Sequence, residues 1–138
     1  MDIVGQLPLE FICPREVRFE LDQGVTAGYP QISPSWLNVV SLSQPPSPAV
    51  LAGLDLGEAA VIQLALDQAI PQVAIDDWKG RRAALAADLR VTGSLGILGR
   101  AKLSGLIPSL RPLIERAVER GIRYHPELVQ TVLEATGE

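Results

Sequence analysis

The chain has 138 residues, 47% hydrophobic and 20% charged, which suits one domain with a real core and excludes a disordered chain. A net charge of −4 excludes a protein that coats nucleic acid through bulk charge, and a single cysteine, Cys13, excludes an internal disulfide. No apolar run reaches the ~20 residues of a membrane helix. Met1-Asp2-Ile3-Val4 carries no basic leader, so one cytoplasmic domain over 1–138 is expected.

Leu9-Glu10-Phe11-Ile12-Cys13 is predicted as a short strand, with Cys13 a small buried core residue. Pro14 halts it and suits the first turn of a helix running to about Gly24. Residues 24–35, with Gly24, Gly28, Pro30 and Pro34, read as loop. Residues 36–42 suit a strand, and 43–48 form a proline-rich connector. Ala59, Ile62, Leu66 and Ala69 recur at helical spacing and predict an amphipathic helix over 56–69. Val73-Ala74-Ile75 reads as a buried strand ending in Asp76-Asp77, followed by a helix over 78–88 and a minimal strand at Arg90-Val91-Thr92. A helix over 94–104 follows, with Leu95, Leu98 and Leu103 on its apolar side. Pro108, Pro112 and Pro126 punctuate further helices near 109–120 and 126–135. Strand and helix in alternation imply parallel strands, right-handed crossovers and helices packed on the faces.

In such sheets function lies beyond the carboxyl ends of the strands, which directs attention to Asp76, Asp77 and the loop at Gly93. Glu58 opens the helix after Asp55, and Glu20 lies in the helix after Pro14. Carboxylates gathered at strand ends and helix starts are what a hard divalent cation needs, because Mg²⁺ takes oxygen ligands. Each position also has a plain structural reading. Asp55 and Glu58 match a capping box, Asp77 can cap the following helix, and Glu20 can lie on a solvated face.

Charge is unevenly distributed. Residues 1–78 balance to −8, whereas 79–123 balance to +7. Lys79, Arg81 and Arg82 place cations in a first helical turn, where they oppose the helix dipole unless an anion offsets them. An i,i+4 ion pair from Asp77 to Arg81 is one such anion, and a bound phosphate is another. His125 is the only histidine, which leaves little for a histidine triad or a zinc site. Gly93-Ser94-Leu95-Gly96 lacks a nucleotide-loop pattern and reads as a tight turn with Ser94 as N-cap. Trp36 and Trp78 can stack on bases, but packing in the core or at its rim is the expectation for both.

Taken in order, these segments resemble the PIN-domain family, nearest to a VapC-like subgroup. The resemblance is carried by Pro14-Arg15-Glu16-Val17 with Glu20-Leu21, and by Asp55-Leu56-Gly57-Glu58-Ala59-Ala60-Val61-Ile62. It continues through Ile75-Asp76-Asp77-Trp78-Lys79-Gly80-Arg81-Arg82 and Val91-Thr92-Gly93-Ser94-Leu95-Gly96-Ile97-Leu98, then Ala101-Lys102, Gly105-Leu106-Ile107-Pro108 and the closing Gly137-Glu138. It implies an α/β fold with three layers, α/β/α, around a short parallel sheet. It also implies a Mg²⁺- or Mn²⁺-dependent endoribonuclease, often the toxin of a toxin–antitoxin pair. Glu20, Glu58 and Asp77 match the family's acidic metal ligands, with Asp76 as the alternative to Asp77. Glu10 and Glu16 match none.

Family members begin with a strand ending in an aspartate, which lies centrally in the sheet between the second and fourth strands. This chain is expected to start after that strand, leaving a gap or a rearranged sheet. Either the start codon is assigned too late, or the chain closes its sheet internally or across a dimer. Three functions follow as expectations. The first is a metal-dependent ribonuclease in which Lys79, Arg81 and Arg82 steer the RNA backbone. The second is an inert PIN-like module acting as a homodimer or by holding an antitoxin. The third is a nucleic-acid binder without chemistry.

Overall fold

Strand β1 (Phe11–Pro14) and helix α1 (Arg15–Thr26) meet at Pro14, whose ψ of 159° places it at the N-cap position. Proline carries no N–H, so a helix start is the one helical location where it leaves nothing unpaired. The computed structural model describes residues 3–28 and 34–138. Contacts divide the chain into two units, Leu9–Thr92 and Met1–Pro8 with Gly93–Glu138. The expected loop over 24–35 begins later than anticipated because α1 continues to Thr26, and the part of it holding Pro30 lies outside the described residues.

The unit Leu9–Thr92 continues through β2 (Leu37–Val40), α2 (Pro48–Leu51), α3 (Leu56–Asp67), β3 (Gln72–Ala74), α4 (Trp78–Ala86) and β4 (Arg90–Thr92). Both strand pairs are parallel, as the alternating pattern implied. β1 pairs β2 from Phe11↔Leu37 to Pro14↔Val40, and β3 pairs β4 from Gln72↔Arg90 to Ala74↔Thr92. The two ladders are separate, and among the described residues no strand joins β1 to β3. That is the gapped outcome of the two that the resemblance allowed.

Helix α3 holds this unit together by packing on β1, β3, α1 and α2. It is not the amphipathic helix that its periodicity suggested. Gly57, Ala59, Ala60, Ile62, Gln63, Leu64 and Ala65 are all buried, while Leu66, assigned to the apolar side, is 43% exposed. A helix covered on several sides has no single apolar stripe to read. The core beside it joins Ile62, Ala65, Val73, Ile75, Ala84 and Leu89. Cys13 is buried as expected, and burial pushes its thiol pKa up.

The unit formed by Met1–Pro8 and Gly93–Glu138 holds a short 3-10 turn (Val4–Gln6), α5 (Ser94–Leu103), α6 (Arg111–Glu119) and α7 (Pro126–Ala135). α5 and α7 approach closely at Gly99, where a Cβ would stand 3.3 Å from Val132 Cγ1. Leu95, Ala101, Leu110, Ile114 and Leu133 are buried here, but Leu103 is 69% exposed and lies off the apolar side assigned to it. The N-cap of α5 is Gly93, not Ser94, and no side chain caps it. His125 caps α7 by accepting the Glu127 N–H on Nδ1, a structural use for the only histidine.

The last two residues fold back. Gly137 takes φ 84°, which lets the Glu138 N–H reach the Leu133 carbonyl at 2.7 Å. The Glu138 carboxylate then accepts from Ser109 Oγ and the Leu110 N–H at 2.6 Å each and meets Lys102 Nζ at 2.9 Å. These bonds close the N-terminal turn of α6 and hold the Glu138 carboxyl down at about 2. Among the described residues no helix is long and apolar enough to cross a membrane.

Candidate active site

The starts of α3 and α4 meet a side chain from the middle of α1 within Leu9–Thr92. Asp55 caps α3 by accepting the Glu58 N–H at 2.9 Å, which is the forward half of the capping box. Glu58 does not complete the box with its side chain. Its carboxyl lies against Gly80 of α4, where a Cβ would stand 3.3 Å from Glu58 Cδ and Oε2. Glu20 reaches from α1 to the same end of α3, where its Oε1 accepts the Gly57 N–H at 3.2 Å. A Cβ on Gly57 would meet both Glu20 carboxylate oxygens at 2.5 Å. The absence of a side chain at Gly57 and Gly80 lets Glu20 and Glu58 approach the backbone this closely.

Asp77 closes the site from the β3 side. Its Oδ2 accepts the N–H groups of Lys79 and Gly80 at 2.9 and 3.3 Å, capping α4. Gly80 thus carries the Asp77 hydrogen bond on its nitrogen and the Glu58 carboxyl against its Cα. The expected Asp77–Arg81 ion pair is not formed. Among the described residues the Arg81 guanidinium donates instead to the Ile75 carbonyl at 2.9 Å, because Asp77 is turned into the helix to act as its cap. Asp76 is exposed next to it.

The Glu58 carboxyl is raised above its ordinary range, first by burial and then by the charges of Asp55, Asp77 and Glu20, while Lys79 draws it down. Glu20, Glu58 and Asp77, matched one by one from the sequence, are thereby brought to one end of α3. Glu16 lies four residues before Glu20 on the same face of α1, and its Oε2 is buried without a hydrogen-bond partner among the described residues.

Glu20, Glu58 and Asp77 offer the all-oxygen donor chemistry that suits a hard divalent cation. Among the described residues no three acidic, histidine or cysteine side chains are grouped tightly enough to hold an ion as they stand. Glu20 and Asp77 each use one oxygen on a helix start, and each keeps its second oxygen outside that bond.

On the rim, Trp78 overturns the expectation of packing: it is 69% exposed, with the Arg82 guanidinium 5.7 Å from its ring centroid. Trp36 is packed, edge-on to Phe11 with ring centroids 5.3 Å apart. No curated protein and no solved structure matches this chain. A PIN-domain family model matches residues 1–138. The chain therefore belongs to the PIN-domain family.

Proposed function

We propose that this chain is a metal-dependent ribonuclease of the VapC-like type, acting in the cytoplasm as the toxin of a toxin–antitoxin pair. Membership of a PIN-domain family supports a nuclease role in general terms. The observation that carries the finer reading is the Glu58 carboxyl, seated against Gly80 and raised first by burial and then by the charges of Asp55, Asp77 and Glu20. A carboxyl shifted by such causes is a candidate for chemistry.

Glu20, Glu58 and Asp77, with Asp76 beside them, would hold a Mg²⁺ or Mn²⁺ ion, which when bound supplies an activated water and neutralises charge on a phosphodiester. Lys79 and Arg82 flank the acids from the exposed side of α4 and would neutralise neighbouring phosphates. Arg81 has a smaller share in that task because it donates to Ile75. A homodimer or an antitoxin would join at the edge of β3 away from β4. In β3 the Pro71 carbonyl and the Ile75 N–H face β4, so Gln72 and Ala74 direct their backbone groups to the opposite edge.

A second reading has one observation in its favour. Glu20 and Asp77 already cap helices, as they would in an inert PIN-like module that acts by association. Cleavage of single-stranded RNA in Mn²⁺ separates the two. The enzyme is expected to cut, and Glu58→Gln to lose at least ~100-fold, more than loss of an outer partner of a ligand. No Mn²⁺-dependent cleavage by the unaltered chain would leave the associating module.

A further inference from the structure

We propose that Arg81 is a positioning residue of the acidic site: its guanidinium anchors the turn that carries Asp76 and Asp77 and leaves the Asp77 carboxylate charged for a cation. This role rests on the reading of Asp77 as a ligand of the proposed ion. β3 ends at Ala74 and α4 starts at Trp78, so Ile75-Asp76-Asp77 is the whole connection between them. The Ile75 N–H donates to the Thr92 carbonyl at 2.8 Å, which ties the turn to β4. The Ile75 carbonyl accepts from Arg81 Nη1 at 2.9 Å, and the Arg81 N–H donates to the Asp77 carbonyl at 2.9 Å. One residue thus holds the turn at both ends, through its side chain at Ile75 and through its backbone at Asp77.

The choice of acceptor separates this role from an ordinary ion pair. Asp77 and Arg81 stand at i and i+4, acid first, the spacing at which such pairs form on helices. A guanidinium on that carboxylate would supply the positive charge that a cation must otherwise bring. Instead Asp77 Oδ2 takes the Lys79 and Gly80 N–H groups, and the guanidinium meets a neutral carbonyl. A charged donor makes that contact stronger than one between neutral groups. Ile75 is also held at its side chain: a methyl added to Gly80 would lie 2.8 Å from Ile75 Cγ2 and 3.3 Å from Glu58 Cδ. A slip of the Ile75 carbonyl would therefore move Asp77 relative to Glu58. Lys79 and Arg82, the other cations of this helix, are exposed, whereas Arg81 is half-buried on the turn that it holds.

The test compares the whole chain with Arg81→Met and Arg81→Lys, both of which keep a hydrophobic stem. Amide hydrogen exchange of the metal-free chain reads the turn, and calorimetric titration of Mn²⁺ without RNA reads the site. Arg81→Met is expected to speed exchange at Lys79 and Gly80 roughly fivefold, as a weakened N-cap would. The Arg90 N–H, bonded to the Pro71 carbonyl at the opposite end of β3, is expected to keep its protection. Mn²⁺ affinity is expected to fall about tenfold, the low end of the loss when an outer partner of a ligand is removed. Arg81→Lys, whose ammonium can still donate to the Ile75 carbonyl, is expected to recover most of both. Unchanged exchange at Lys79 and Gly80 in Arg81→Met would overturn the anchor. So would equal loss of protection at Arg90, which would make Arg81 a support of the whole ladder. Faster local exchange with undiminished Mn²⁺ affinity would overturn the positioning role. The two readings fail separately. No Mn²⁺ binding by the unaltered chain, with faster exchange in Arg81→Met, removes the nuclease and keeps the turn anchor.

Discussion

Glu20 and Gly57, 37 positions apart in sequence, are joined by a 3.2 Å hydrogen bond from the glycine N–H to the glutamate Oε1. The contact exists because Gly57 has no side chain, and it contrasts with the second glycine of the site. On Gly57 an added methyl meets the mobile end of Glu20, which can swing away. Alanine also gains roughly 1 kcal/mol of helix propensity over glycine. Gly57→Ala is therefore expected to leave stability within about 1 kcal/mol while weakening Mn²⁺ binding. On Gly80 the methyl would lie 2.8 Å from Ile75 Cγ2, a stiff β-branched side chain in the core. Gly80→Ala is expected to cost about 1–3 kcal/mol as an overpacked site. Urea unfolding of both variants checks the order, and a less stable Gly57→Ala would contradict it.

Glu58 makes stability depend on pH in an unusual sense. Its folded pKa is raised from 4.5, chiefly by burial and then by its acidic neighbours. A raised carboxyl contributes stability that is fully present below the unfolded pKa and is lost as pH rises through the folded value. Glu58→Gln is thus expected to melt higher than the unaltered chain at neutral pH, and the gap should close below 4.5. Thermal unfolding across that range is the measurement, and a destabilised Glu58→Gln at neutral pH would contradict the assignment.

Glu138 has the opposite sign. Ser109, Lys102 and the Leu110 N–H hold its carboxyl down at about 2, from an ordinary 4.5. Its contribution is present above the unfolded value and is lost as pH falls through the folded one. Glu138→Gln is expected to lower the melting temperature at neutral pH, with the difference shrinking between 4.5 and about 2. A constant difference at all pH values would mean that shape, not charge, anchors this residue.

The sequence carried the strand order and the acidic residues further than it carried the side-chain surroundings. Arg90-Val91-Thr92 was legible because its β-branched Val91 and Thr92 lie between two helical stretches, and Asp77 because it follows one strand and caps a helix. Leu66 was misplaced because α3 is covered on several sides, and periodicity reports only a helix with one wet face. Trp78 was expected to pack because aromatic area usually does; its exposure follows from Gly80 and Ala84 turning the other face of α4 inward. The unpartnered Glu16 oxygen was not legible because it is a property of tertiary packing. The hydrogen bond from Gly57 to Glu20 could not be read at all, since nothing local links positions so far apart.

Calorimetric titration of Mn²⁺ into the unaltered chain, Glu58→Ala and Asp77→Ala bears most directly on the acidic site. The unaltered chain is expected to bind, and either substitution to weaken binding at least tenfold, about 1.4 kcal/mol. Equal and negligible heats for all three proteins would remove the metal site and leave the PIN-domain architecture without its proposed chemistry.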